Sequence, residues 1–234
     1  MARTTLYLVR HGEQQAPGPA TLTTASAVPG EADPGENDLG LSDRGRVQAQ
    51  QLARRLAGTR FDTIHHSSLP RAEQTATILA QHLPGVPMHA CDLVKDRTPF
   101  PADPQPGRPG HDYPQRYQDF FEAVPLQERD PGAVRLQQAV EHLSALSACS
   151  GPEQAGQESQ ASQASRAGQT DQAERVDLVV THNFVIGWFV RHVMQAPHWC
   201  WLGLNQANCG LTVLQWETGR PATLISFNDV GHLS

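Results

Sequence analysis

Two apolar runs in this chain end in histidine. Leu6–Val9 leads into Arg10-His11-Gly12, and Val176–Val180 leads into Thr181-His182-Asn183. Imidazole can be a neutral nucleophile or a proton carrier near neutral pH. In open α/β sheets ligands sit beyond the carboxyl ends of the strands, where residues distant in sequence meet. His11 and His182 can therefore share one site. Arg10 joins them directly. Arg71 joins them from Ser67-Ser68-Leu69-Pro70-Arg71-Ala72, where it falls just after a strand and in the first turn of a helix. Two guanidinium forks, two imidazoles and a helix N-terminus describe a pocket for a tetrahedral phosphoryl group. Each residue alone has a plainer reading, since a histidine after a strand is usually structural and a first-turn arginine is usually solvated. Their joint placement at three strand ends is what favours chemistry.

The elements that must position these residues can be read from periodicity. Leu6–Val9 is a short buried strand. Ser42 can cap a helix over roughly 43–57, whose Gly45, Ala49, Leu52, Ala53 and Leu56 share one face. Phe61–His66 predicts a second strand, 70–83 a helix with Ala72, Ala76, Leu79 and Leu83 on one side, and Val86–Cys91 a third strand. Tyr113–Val124 predicts a helix. Another should start at Asp130-Pro131, because proline suits the first helical position, and run to about Ala148. Val176–Val180, apolar except for Asp177, predicts a central buried strand. Phe184–Met194 predicts a buried helix, and Leu211–Trp216 with Ala222–Phe227 a hairpin around Glu217-Thr218-Gly219. Strands alternating with helices predict an α/β three-layer sandwich: a mostly parallel central sheet, helices on both faces and an antiparallel edge strand.

Three stretches read differently. Residues 15–37 and 96–112 are Pro- and Gly-rich and predict irregular chain. Ser150–Arg175 holds six Gln, five Ala, four Ser and three Gly and no aliphatic side chain larger than Ala, so it cannot offset its own ordering entropy. The expectation is a single domain over 1–234 with a flexible low-complexity insert at about 150–175.

Composition excludes some functions. The chain has 234 residues with 18 Lys+Arg against 24 Asp+Glu, and this net −6 argues against a nucleic-acid partner. Lys95 is the only lysine, so phosphate contacts would fall to Arg and His. No run approaches the roughly 18 apolar residues of a spanning helix, and the N-terminus lacks a signal-peptide pattern; the expectation is a cytoplasmic protein with no membrane partner. The four cysteines lack CxxC spacing. His65 and His66 alternate across a strand, and His192, His198 and Cys200 lie at a helix end near Trp199 and Trp201, where packing is the better reading; no metal site is expected. A homodimer is left open.

Leu8-Val9-Arg10-His11-Gly12-Glu13 resembles the signature of the histidine phosphatase, or phosphoglycerate-mutase-like, superfamily. Asp38-Leu39-Gly40-Leu41-Ser42-Asp43-Arg44-Gly45 with Gln48-Ala49, Ser67–Ala76, and Thr181-His182-Asn183 resemble its following blocks, in the same order. The resemblance spans roughly 4–14, 38–104 and 176–234. Asp92–Pro104 and Trp201–Thr212 are most similar to the mitochondrial serine/threonine protein phosphatase branch.

That resemblance implies a metal-independent phosphatase, without cofactor, acting on phosphomonoesters of small molecules or phosphoproteins. His11 would become a phosphohistidine, with Arg10, Arg71 and His182 on the phosphoryl oxygens. Glu13 and Asn183 are expected to be further substrate contacts. The general acid aligns with Asp96, where most relatives of that branch have Glu; Asp92, Asp103 and Glu13 are its rivals. Two other functions stay open. One is a phosphomutase using the same phosphohistidine, although the mutase-type segments after the first block and after the acid are missing. The other is a non-catalytic phospholigand-binding protein.

Overall fold

The computed structural model describes residues 1–16, 39–100, 120–145 and 174–234. The expected insert at 150–175 lies outside these residues except for Glu174 and Arg175, which belong to a strand. Most of the 15–37 loop, Tyr113–Asp119 of the expected helix, and Asp103 also lie outside them.

A six-stranded sheet runs in the order β3-β2-β6-β1-β7-β8. Its strands are β1 (Arg3–Arg10), β2 (Thr63–His66), β3 (Met88–Ala90), β6 (Glu174–Thr181), β7 (Leu211–Glu217) and β8 (Thr223–Asp229). β3, β2, β6 and β1 are mutually parallel, and β7 pairs antiparallel with β1. The β7–β8 hairpin closes the sheet at the predicted position. β1 and β6 are central, which is why both read as apolar runs. In their register Arg10 faces Thr181, so His11 and His182 leave the sheet side by side.

Helices cover both faces, giving the expected three layers. On one face α1 (Asp43–Leu56) and α2 (Pro70–Ala80) set Ala49, Leu52, Ala76 and Leu79 against Val9, Ile64, Leu178 and Val180. On the other, α3 (Val134–Ser144) and α4 (Asn183–Val193) set Leu136, Val140, Ile186 and Phe189 against Leu6, Leu8, Val179 and Leu214. Alternate residues of β1 and β6 thus feed opposite layers. No helix among the described residues is long and apolar enough to cross a membrane.

The chain between β3 and α3 departs from expectation. Within the stretch predicted to be irregular, β4 (Thr98–Phe100) pairs in parallel with β5 (Arg129–Pro131) as a separate two-stranded sheet. Each strand has three residues and contains proline, so no period-two pattern could announce it. Arg129 ties the pair down, its guanidinium 4.5 Å above the Phe100 ring and its Nε–H donating to Val124 O (2.9 Å). The third helix starts at Val134 rather than at Asp130-Pro131, because Pro131 belongs to β5. Asp130 still caps it from outside: its carboxylate accepts from Arg135 N–H (3.2 Å) and Leu136 N–H (3.0 Å). The helix ends at Ser144 instead of near Ala148.

Candidate active site

The chain leaving β1 is held on every side. His11 N–H donates to Thr181 O (2.9 Å), Gly12 N–H to Thr75 Oγ1 (3.0 Å), and Asn208 Nδ2 to His11 O (3.1 Å). Gly12 lies against the first turn of α1, where a Cβ would stand 2.5 Å from Gly45 O. A Cβ on Gly45 would stand 2.1 Å from Glu13 O. Both glycines are required by this close approach. Ser42 caps α1 by accepting from Gly45 N–H (3.0 Å).

His11 Nδ1 sits 2.7 Å from Gly12 O. A carbonyl only accepts, so Nδ1 carries the proton and Nε2 presents its lone pair. Arg71 Nε–H donates to that Nε2 at 3.2 Å. Burial pushes the His11 pKa down to about 3, reinforced by His182, Arg71 and Arg10 and opposed by the Gly12 carbonyl. His11 is therefore neutral at physiological pH, with its unprotonated Nε2 held by Arg71 in the pocket.

His182 is the residue before α4 and is almost fully buried. Its ring centroid lies 5.2 Å from that of His11. His182 Nε2 is 2.8 Å from Ser67 Oγ. Burial, then Arg71 and Arg10, hold the His182 pKa well below the usual imidazole value.

Asp96 enters from the loop between a single 3₁₀ turn (Asp92–Val94) and β4. Its Oδ2 accepts from Arg71 Nη2 (2.8 Å) and lies 3.5 Å from His182 Nδ1. The second distance is too long for a hydrogen bond.

Arg10 is held differently from Arg71. Its Nη1 donates to the backbone carbonyl of Gln206 at 2.5 Å. Burial lowers the guanidinium pKa, Arg71 adds to this, and Asp96 opposes it. Two guanidinium cations thus face one carboxylate and two neutral imidazoles, which suits a dianionic phosphoryl group.

Arg10, His11, Arg71, His182 and Asp96 come together as one pocket. Asn183 contacts Asn205 and Gln206 beside it. Glu13 accepts from Ser42 Oγ (3.0 Å) and pairs with Arg44 (3.3 Å), bracing the N-terminus of α1. Of the rival acids, Asp92 is bonded by Ser68 Oγ (3.1 Å). Ser67, Thr75, Gln206 and Asn208 were given no role from the sequence. Ser67 and Gln206–Asn208 lie inside segments that carry the family resemblance, and Thr75 lies one helical turn after Arg71; that was the available signal.

Among the described residues no three His, Cys, Asp or Glu side chains gather as metal ligands would. His66 Nδ1 bonds Ser67 O (3.0 Å) while His65 Nε2 lies 3.6 Å from Asp177, on alternate faces of β2. His198 lies against Trp188, ring centroids 5.9 Å apart.

The family model described as the histidine phosphatase superfamily (branch 1) matches residues 6–229. The chain belongs to that superfamily. It is similar to the mitochondrial serine/threonine-protein phosphatase Pgam5 of Caenorhabditis briggsae, 27% identical over 194 residues, which cover 81% of this chain and 56% of that protein. The chain thus spans just over half the length of such curated relatives. Among solved structures it is similar to a protein described as mycobacterial hydrolase 1, with TM-score 0.61 and 21% identity over 97% of this chain and 99% of the other. It is also similar to a phosphoserine phosphatase from Entamoeba histolytica, with TM-score 0.58 and 19% identity over 99% of this chain and 100% of the other. These structural likenesses establish the fold.

Proposed function

We propose that this histidine phosphatase superfamily member hydrolyses phosphomonoesters, without a metal, through a phosphohistidine on His11. The observation that carries the reading is the state of His11: a buried, neutral imidazole with its proton on Nδ1 and its Nε2 lone pair facing the Arg71 guanidinium, which a phosphoryl oxygen would draw away. In the first step Nε2 attacks phosphorus, the N–P bond forms and the ester P–O bond breaks. Arg10, Arg71 and His182 stabilise the phosphoryl oxygens, so charge neutralisation needs no cation beyond the side chains present. Asp96 in its protonated form gives its proton to the departing oxygen. As carboxylate it then takes a proton from water, which attacks phosphorus and frees His11 and inorganic phosphate.

Asp96 also supports turnover over mere ligand binding, since a scaffold would have no use for a carboxylate inside an oxyanion pocket. The names of the relatives point to phosphoproteins and small phosphate esters alike as substrates. The test is a panel of p-nitrophenyl phosphate, phosphometabolites and phosphopeptides, run with the native protein and with His11→Ala. The expected result is turnover of at least one class, abolished in the folded variant, with acid-labile phosphate trapped on His11 of the native protein. Undiminished turnover by His11→Ala would remove the phosphohistidine mechanism.

A further inference from the structure

One peptide group orients the Arg10 guanidinium. Arg10 Nη1 donates to Gln206 O (2.5 Å), while its buried Nε–H has no partner among the described residues. The receiving carbonyl belongs to the Gln206–Ala207 peptide. In a trans peptide the C=O and the N–H point in opposite directions, so the group that holds the N–H aims the carbonyl. The N–H of this peptide, on Ala207, donates to Asn228 Oδ1 (2.8 Å). The flanking peptides are held elsewhere: Gln206 N–H donates to Asn183 Oδ1 (2.8 Å), and Ala207 O accepts from Gly210 N–H (2.9 Å). Neither of those bonds sets the plane between them. Asn228 itself stands at an irregularity of the β7–β8 hairpin. Leu211 faces Asp229 and Val213 faces Ser226, so Phe227 and Asn228 together oppose Thr212. Asn228 takes φ 49°, in the left-handed region where Asn is enriched, and its N–H donates to Thr212 Oγ1 (3.1 Å). A bulge of this kind re-aims a side chain. Gly210 leaves the room for it, since a Cβ there would collide with Asn228 Oδ1.

We propose that Asn228 is a positioning residue for Arg10, acting through the Gln206–Ala207 peptide. The inference rests on Arg10 being a phosphoryl ligand in the proposed reaction. The physical logic is one of charge. A carboxylate holding Arg10 would neutralise it, whereas a backbone carbonyl orients the guanidinium and leaves its charge for the oxyanion. A carbonyl can do this only if its own peptide plane is fixed. Ala207 is exposed and lies in a loop, outside helix and strand. Without Asn228, water would take its N–H, and the plane would turn about its two flanking torsions. The bulge in β8 thus reaches the reacting centre through two hydrogen bonds, Asn228 to Ala207 and Gln206 to Arg10.

The test is a double-mutant cycle read by affinity for vanadate and inorganic phosphate in calorimetry, which does not need turnover. Asn228→Gly removes the carboxamide but suits the left-handed backbone, so the bulge survives. It should weaken oxyanion binding roughly three- to tenfold, the scale of one net hydrogen bond. In an Arg10→Ala background the same change should have almost no effect, because the group it positions is gone. Asn228→Asp keeps an acceptor oxygen and should bind nearly as the native protein does at about 1 M salt, where its added charge is screened within about 3 Å. Native affinity in Asn228→Gly, equal losses in the two backgrounds, or a loss in Asn228→Asp as large as in Asn228→Gly would each overturn the proposal. Where Arg10→Ala binds too weakly to compare, NMR of labelled arginine decides: faster rotation of the Arg10 Nη groups in Asn228→Gly supports the role, and a native rate overturns it. If Asn228→Gly fails to fold, Asn228→Ser, too short to hold Ala207, takes its place in the same measurements. If the native protein binds oxyanions but turns over no substrate, the hydrolytic reading fails while the positioning role stands. If it binds no oxyanion, both fall.

Discussion

The two halves of the site are built to different standards of rigidity. His11 and His182 stand at the ends of the two central strands, 6% and 1% exposed, with neighbouring peptide groups tied to other elements. Asp96 stands on a loop between one 3₁₀ turn and a three-residue strand of a separate small sheet, its side chain 38% exposed. It is drawn into the pocket by Arg71. The contrast fits the two roles. A nucleophile gains most from being fixed before the substrate arrives. A general acid must leave Arg71 when a phosphoryl oxygen takes that partner, then reach the leaving oxygen.

The largest effect should come from the fixed half. His11→Ala removes the atom that forms the N–P bond and should reduce turnover to background in a protein that still melts cooperatively. Asp96→Asn tests the loop-borne half and should be graded. Rate should fall roughly 10²–10⁴-fold for alkyl phosphates, the usual scale for positioned proton transfer. Phosphorylation of His11 by p-nitrophenyl phosphate should suffer far less, because that leaving group departs without a proton. Slow dephosphorylation should then appear as a burst of p-nitrophenol. Equal, modest slowing of both substrates would leave Asp96 as a partner of Arg71 alone.

Gly45→Ala would strain the fixed half without touching a reacting group. Its Cβ would fall 2.1 Å from Glu13 O and 2.7 Å from Glu13 N, both backbone atoms that cannot swing aside. The expected cost is about 1–3 kcal/mol, the scale of overpacking, read as a drop of several degrees in melting temperature. A melting curve that overlays the native one would show that the β1–α1 loop yields more easily than its packing implies.

The same division separates what could be read in the sequence from what could not. Arg10, His11 and His182 were legible because apolar runs lead straight into them, and Arg71 because a proline-led helix start follows a strand. The three layers were legible because the C-terminal halves of β1 and β6 are mostly apolar while the helices carry apolar faces. β4 and β5 were not, since three-residue strands with proline show no period. The helix start read at Asp130-Pro131 was misplaced, since Pro131 belongs to β5 and Asp130 caps the helix only from outside, across the residues before Val134. The tasks of Ser67, Gln206 and Asn208 depend on how loops fold back on strand ends, and hydropathy does not record that. Asp96 was found by resemblance alone, as its small supporting sheet left no pattern to argue from.

The smallest expected effect concerns pH, and it again separates the two halves. Burial keeps His11 and His182 neutral in the folded protein, with the His11 pKa near 3, whereas in the unfolded chain each titrates near the ordinary histidine value. Below that ordinary value the unfolded state binds protons that the folded state refuses. The stability these histidines allow is therefore complete above about pH 6.5 and declines as pH falls toward the folded value. Each histidine should contribute a slope below about 1.4 kcal/mol per pH unit, the limit for one proton. Denaturant midpoints measured between pH 7.5 and 5.5 should show this decline. In His11→Gln one of the two contributions is removed, so the slope should be shallower. In Asp96→Asn it should be close to native, because desolvation is the leading cause of both shifts and neither depends on Asp96. A native-like slope in His11→Gln would mean that the imidazole at the end of β1 is solvated in the folded protein, and the neutral, preorganised nucleophile would lose its physical basis.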